Sequence, residues 1–313
     1  MIHFKPNINF TKNSTYIFIV SMIIMLASIA LISFKGINLG IDFTSGTRFD
    51  MAINNSGHPI KIESLKSEII DKTKLKDNFV LKELKGEGTS DTQIFSLISQ
   101  ENFDIELIES AIDSKKYPIN KKQSQLLRIS PKMGKELADN ATWALSVAMI
   151  AILIYITFRF NRFFALSSII ALIHDVTITV GIFSLFNLPI NLPIVAAFLT
   201  ILGYSLNDTI VVFDRIRENL NISKKEDNIS LIVNQSINQT LSRTILTSLT
   251  TLIVLTILYL VGSYLIKLFT LALIFGVIIG TYSSIFVASF SFTILYNKYG
   301  HLLKKSDLDE LEE

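Results

Sequence analysis

Six runs of about 20 apolar residues, each long enough to cross a hydrocarbon core of about 30 Å, constrain this chain more than anything else in it. They cover residues 15–34, 140–158, 164–186, 193–214, 244–262 and 268–295. Inside a bilayer no water satisfies the backbone, so every N–H and C=O must bond within its own segment, and each run is expected to be a helix. The first run follows Lys5 and Lys12 and imitates a secretion signal, with Ser28 and Ala30 as small, cleavage-like residues. It continues past Ala30, beyond the apolar core of such signals, and is therefore read as an uncleaved span. The expected class is an α-helical polytopic membrane protein.

Charge placement then sets the orientation. Lys5, Lys12, Arg159, Arg162, Arg215, Arg217, Lys224, Lys225, Arg243, Lys298, Lys304 and Lys305 fall on one side of the spans, whereas the short loops of the other side hold only Lys267. Basic loops stay in the cytoplasm, so both termini are expected there, and the long segment after the first span is expected outside. A net charge of +2 gives no reason to expect a nucleic-acid partner. The absence of cysteine rules out disulfides, thiolate metal sites and thiol catalysis, and four scattered histidines make no metal cluster. No phosphate-binding loop is present, and no enzyme activity or cofactor is expected. The chain divides into residues 1–34 (cytoplasmic N-terminus and first span), 35–139 (exported domain), 140–295 (spans two to six) and 296–313 (a tail ending in the acidic run "SDLDELEE", read as a solvated end).

The exported segment has a legible order. "TRFDMAI" alternates Phe49, Met51 and Ile53 with Arg48, Asp50 and Ala52, the period of a half-buried strand. Ile62, Leu65 and Ile69 then recur at helical spacing, "NFVLKEL" and "TQIFSLI" read as strands joined across "KGEGTS", Ile105, Ile108 and Ile112 mark a second helix, and "QLLRI" a last strand. The order β-α-β-β-α-β is that of an α+β ferredoxin-like module.

Within the spans the anomaly is charge, because a carboxylate at mid-membrane costs about 2.5–3.5 kcal/mol on insertion scales. The third span carries His174 and Asp175, the fourth Asn207 and Asp208. At 1.5 Å of rise per residue, Asp175 lies roughly 16 Å and Asp208 roughly 9 Å from the cytoplasmic ends of their helices, too deep for a short side chain to reach water. Arg243 opens the fifth span, and its long stem can carry a guanidinium inward. It shares a helical face with Thr247 and Thr250 or Thr251, a face expected to meet Asp208. Two readings stand: a static interhelical clip, with Asn207 and the threonines adding hydrogen bonds, or a proton-relay carboxylate with a cationic partner. For Asp175 they weigh evenly. Asp214, Arg215, Arg217 and Glu218 belong to the head-group region. Gly276 and Gly280, continued by Ser284 and Ala288, form a face of small residues suited to close helix packing. After the first span, "GINLGIDFTSGT" reads as a tight turn that Asp42 caps.

"LGIDFTSGT", "LSSIIALIHDV", "LGYSLNDTIVVFDRIREN" and "QTLSRTILTSLTTL", in that order and spread over nearly the whole chain, resemble the SecD/SecF family of bacterial protein-export membrane subunits, its smaller, SecF-type member in particular. The resemblance implies an inner-membrane accessory of the Sec translocon, related to the resistance-nodulation-division transporters, that couples the proton gradient to late movement of exported, unfolded polypeptide. It implies SecD, the SecYEG channel and YajC as partners, membrane lipid around the spans, and Asp208 and Arg243 as the proton-path acid and its basic neighbour. The family pattern after the first span has two consecutive glycines. Ser45 stands in place of the first of them, which strains the turn if that position has positive φ. A homodimeric proton-driven exporter of small molecules or lipids, and a translocon scaffold that moves no protons, are the competing functions.

Overall fold

The computed structural model describes residues 8–55, 59–73, 79–84, 92–101, 103–112, 116–223 and 228–299. The "KGEGTS" turn, the tail "SDLDELEE" and Lys5, Lys224, Lys225, Lys304 and Lys305 lie outside these residues. Helix α1 (Ser14–Lys35) leads through a single turn, α2 (Ile41–Thr44), into β1 (Gly46–Asn54), α3 (Ile62–Lys72), β2 (Phe79–Glu83), β3 (Thr92–Ser99), α4 (Ile105–Ala111) and β4 (Gln125–Ile129). The remainder is helical: α5 (Pro131–Arg159), α6 (Arg162–Leu185), α7 (Leu192–Ile222), α8 (Ile229–Val261), α9 (Tyr264–Ser283), a π-helical turn (Ser284–Ala288) and α10 (Ser289–Tyr299). Six helical stretches are long and apolar enough to cross a membrane, the last being Leu265–Tyr299.

The four strands make one antiparallel sheet in the order β2-β3-β1-β4, the ferredoxin-like arrangement. Its central pair is β1 and β3, registered Phe49↔Leu97 and Met51↔Phe95. Those side chains, with Ile53, meet Leu65 and Ile69 of α3 and Ile108 of α4 in a closed core. On the opposite face Arg48 makes a two-pronged ion pair with Asp50 and also reaches Ser96.

Asparagine or serine opens most of the long helices. Ser130, Asn161, Asn191 and Asn228 each accept a bond from a backbone N–H of the first turn of α5, α6, α7 and α8, satisfying donors that no carbonyl of the helix can reach. These caps lie further out than the apolar runs do. Helix α5 begins at Pro131, with Lys132, Lys135, Glu136 and Asp139 in its first turns, α7 continues to Ile222, and α8 starts at Ile229. The polar ends of α7 and α8 stay helical because they pair: Arg215 donates to Gln239, and Asn219 to both Ser236 and Gln239.

The spans differ sharply in role. In α6, α7 and the last span, 61%, 56% and 56% of the most apolar stretch is buried, against 11%, 6% and 17% in α1, α5 and α8. The first three are the interior; the others form the perimeter. Near the sheet, Phe183, Phe198, Ile201, Leu268 and Val277 make one core. At the far end Phe164 stacks on Phe292 at 4.2 Å between ring centroids and meets Phe213 at 4.9 Å.

Candidate functional site

The interior helices bring two buried carboxylates into the same region, and their surroundings are opposite. Asp175 is fully buried on α6 and makes three hydrogen bonds among the described residues. Its Oδ2 accepts from Ser205 of α7 at 2.5 Å and from Ser283 of α9 at 2.8 Å, while Oδ1 lies 2.9 Å from His174 Nδ1. The other nitrogen of that ring, Nε2, is 2.7 Å from Ser21 Oγ of α1. Four helices therefore meet at one acid. The π-helical turn begins one residue after Ser283, and Ser289 donates to the Ser284 carbonyl five residues back, so the last span departs from regular α geometry beside this contact.

Asp208, one turn along α7 from Ser205, is 2% exposed. Among the described residues it accepts a single long bond, 3.4 Å, from Ser248 of α8. The Ser248 hydroxyl is itself better engaged with Thr281 at 2.6 Å. Thr244, one turn from Ser248 on α8, has a buried hydroxyl with no hydrogen-bond partner among the described residues. A carboxylate has room for about four donors, so Asp208 is under-supplied by the described residues.

The expected companions of Asp208 are placed differently from the sequence reading. Arg243 is exposed and makes no ion pair with Asp208 among the described residues. The α8 hydroxyl bonded to Asp208 is that of Ser248 and not of the expected threonines: Thr247 donates to the Arg243 and Thr244 carbonyls of its own helix, Thr250 is exposed, and Thr251 faces Tyr204 of α7, 3.3 Å from its hydroxyl. Asn207 is exposed and makes no hydrogen bond among the described residues. It ends a line of exposed α7 residues, Ala196, Thr200, Gly203 and Asn207, spaced four, three and four apart along one helical face. At the far end Asp214 pairs with Arg217 at 3.0 Å and with Arg159 at 3.9 Å, and Arg215 pairs with Glu218.

The small-residue face of the last span packs on α7. A side chain at Gly276 would overlap Ile201, and a Cβ at Gly280 would sit 2.9 Å from that of Ser205. Ser284 and Ala288 continue the buried face. Asp42 does cap a turn, but that of another helix: its Oδ2 accepts from the N–H of Leu192, the first residue of α7.

Residues 109–298 match the family described as "Protein export membrane protein SecD/SecF, C-terminal", and residues 30–55 match the "SecD/SecF GG Motif". The chain belongs to the SecD/SecF family. Among curated SecD/SecF relatives, the protein translocase subunit SecF of Desulfurispirillum indicum is 42% identical over 300 residues, with 90% of each chain covered. That of Calditerrivibrio nitroreducens is 39% identical over 294 residues, covering 92% of this chain and 94% of its own. The crystal structure of SecDF, a translocon-associated membrane protein from Thermus thermophilus, superposes on 95% of this chain with a TM-score of 0.81 and 33% identity. SecDF in a super-membrane-facing form, equally similar in sequence, superposes with a TM-score of 0.71. This chain spans 40% of the length of the SecDF chain.

Proposed function

We propose that this chain is a SecF-type subunit of the bacterial inner membrane that assists Sec-dependent export, and that it does so by letting the proton gradient act on Asp208. The observation that carries the reading is the contrast between the two acids. Asp175 accepts from hydroxyls of two other helices and is hydrogen-bonded to His174 beside it, an arrangement that fixes a carboxylate in place. Asp208 lies in a membrane-spanning helix with one weak donor among the described residues, and gaining or losing a proton there changes its pull on Ser248 and on the Arg243 cation. The proton site on this reading is Asp208 with Arg243 as its cation and Ser248 as its local donor. Asn207 belongs to the face turned toward a partner, and Asp175 is the anchor against which α7 moves.

That partner is a second six-span half of SecD type. The chain matches 40% of a SecDF chain, and its α7 presents small and polar residues at mid-membrane, which pack against protein better than against lipid. The basic far end of the bundle faces the cytoplasm with both termini, the four-stranded domain stands in the periplasm beside the emerging, unfolded polypeptide, and SecYEG and YajC are the neighbouring components. The test is Asp208→Asn in the full chain, expressed with SecD. Association with SecD is expected to persist while gradient-dependent secretion falls at least about tenfold, a loss of 1.4 kcal/mol or more in driving the step. Normal secretion would favour a scaffold; loss of association would favour a static clip.

A further inference from the structure

The chain segment entering the four-stranded domain is bonded along its length to the one loop that joins the two acid-bearing helices. Helices α6 and α7, which carry Asp175 and Asp208, connect through residues 186–191. Against this loop and the helix ends beside it run residues 35–42, between α1 and β1. Lys35 Nζ donates to the Leu185 carbonyl at 2.7 Å, and Ser184 to that of Gly36 at 2.7 Å. The Asn38 side chain donates to the Asn187 carbonyl at 2.9 Å. Leu39 and Ile190 form a short parallel bridge, with Ile190 N–H bonded to Asn38 at 2.8 Å and Gly40 N–H to Ile190 at 2.7 Å. Asp42 closes the series at the first N–H of α7, 2.9 Å away, where a carboxylate also meets the positive end of the helix dipole.

The strand leaving the domain converges on the same place. At the start of α5, a Cβ on Gly134 would lie 3.1 Å from the Phe43 carbonyl and 3.1 Å from Ser45 N, so α5 packs backbone to backbone on α2, the turn that carries Asp42. Both covalent roots of the domain thus meet at α2, and the Asp42 side chain pins α2 to α7.

We propose that Asp42 is a positioning residue that transmits displacement between the four-stranded domain and α7. Its consequence for export rests on the reading of Asp208 above; the pinning itself does not. When α7 shifts, the pinned turn carries the domain with it, and force on the domain returns to the helix by the same route.

The chain has no cysteine of its own, so spin labels placed at Ser110→Cys on α4 and Phe186→Cys after α6 report the domain-to-bundle distance in lipid nanodiscs. One narrow distance distribution is expected for the otherwise native chain. Asp42→Ala is expected to broaden it and to speed amide exchange at Leu192 about tenfold, the loss of one charge-assisted bond. Asp42→Asn keeps an acceptor in the same place and is expected to restore the narrow distribution, a rescue that simple loss of stability would not give. Gly40→Val leaves the carboxylate intact but forces apart Ile190 and Asn191, whose atoms lie 3.1 and 3.2 Å from the added Cβ, and is expected to broaden the distribution as well. In cells, Asp42→Ala is expected to lower secretion while Asp42→Asn does not. Unchanged distance and exchange in Asp42→Ala would overturn the proposal, as would normal secretion by Asp42→Ala alongside failure of Asp208→Asn. Normal secretion by Asp208→Asn would overturn the proton reading instead, and the distance and exchange measurements then decide the pinning alone.

Discussion

Asp175 and Asp208 have the same side chain, lie on adjacent helices and are both buried, yet they carry opposite expectations. Truncating Asp175 to alanine removes the acceptor of Ser205, Ser283 and His174 together, and a buried donor left unpaired costs about 1–3 kcal/mol. Asp175→Ala is therefore expected to lower the thermal stability of the purified chain by several kcal/mol, read as the shift of the melting transition in detergent. Asp208→Asn, which leaves one weak bond at stake, is expected to move the same transition by less than about 1 kcal/mol. Equal effects would mean that both acids are structural. Ser45 makes a separate case. It has φ 73° and ψ 166°, a region that suits only glycine, and is followed by Gly46 at φ 137°. Strain of this kind costs about 1–3 kcal/mol, so Ser45→Gly is expected to stabilise the chain by about 1 kcal/mol or more, read by the same melting measurement.

At the scale of elements, α9 approaches α7 closely. Gly280 leaves a Cβ only 2.9 Å from that of Ser205, and Ser205 is one of the donors that hold Asp175. Gly280→Val is expected to push α9 off α7 and to destabilise by about 1–3 kcal/mol, with part of the loss returned by Ser205→Gly, which makes room. The melting transitions of the two single variants and the double variant measure that coupling; strict additivity would show that the two sites do not touch. These contacts mark what the sequence could and could not tell. The β-α-β-β-α-β order was legible because Phe49, Met51 and Ile53 alternate and Leu65 and Ile69 recur at helical spacing, and those side chains do form the domain core. Gly276 and Gly280 announced a packing face, which α7 occupies. The polar ends of α7 and α8 were hidden because hydropathy registers apolar length, while Arg215, Asn219, Ser236 and Gln239 hold those ends by pairing across the hairpin. The hydroxyl that faces Asp208 lies a single helical step from the expected Thr247. One residue turns a helix by about 100°, so choosing Thr247 over Ser248 aims at the wrong neighbour, and only packing sets that phase.

For the whole molecule, the open surface is the one on α7 that carries Asn207, next to buried Asp208. Interior helices of a membrane bundle are normally enclosed, yet α7, half of whose apolar stretch is buried, still shows Ala196, Thr200, Gly203 and Asn207 on an open face. A Cβ built on Gly203 meets no atom within 4 Å. Such a face gains nothing from lipid, because its small side chains offer little apolar surface and its polar groups find no bonds there, whereas a second helix can approach closely along it. The 40% share of the SecDF chain that this chain accounts for leaves space in that longer chain for such a helix. Gly203→Leu separates folding from assembly. Because the site is open, the isolated chain is expected to melt within about 0.5 kcal/mol of the native one, as a surface change does. Because an isobutyl group would stand between two helices at their closest approach, recovery of SecD with the tagged chain is expected to fall at least about tenfold, the effect of 1.4 kcal/mol in the association constant. Ala196→Leu, one end of the same line, is expected to act alike, while Val254→Ala, on the exposed apolar face of α8, is expected to leave recovery unchanged. If Gly203→Leu and Ala196→Leu both bound SecD normally, the partner would have to sit on another face, and Asp208 would then lie away from the seam between the two halves.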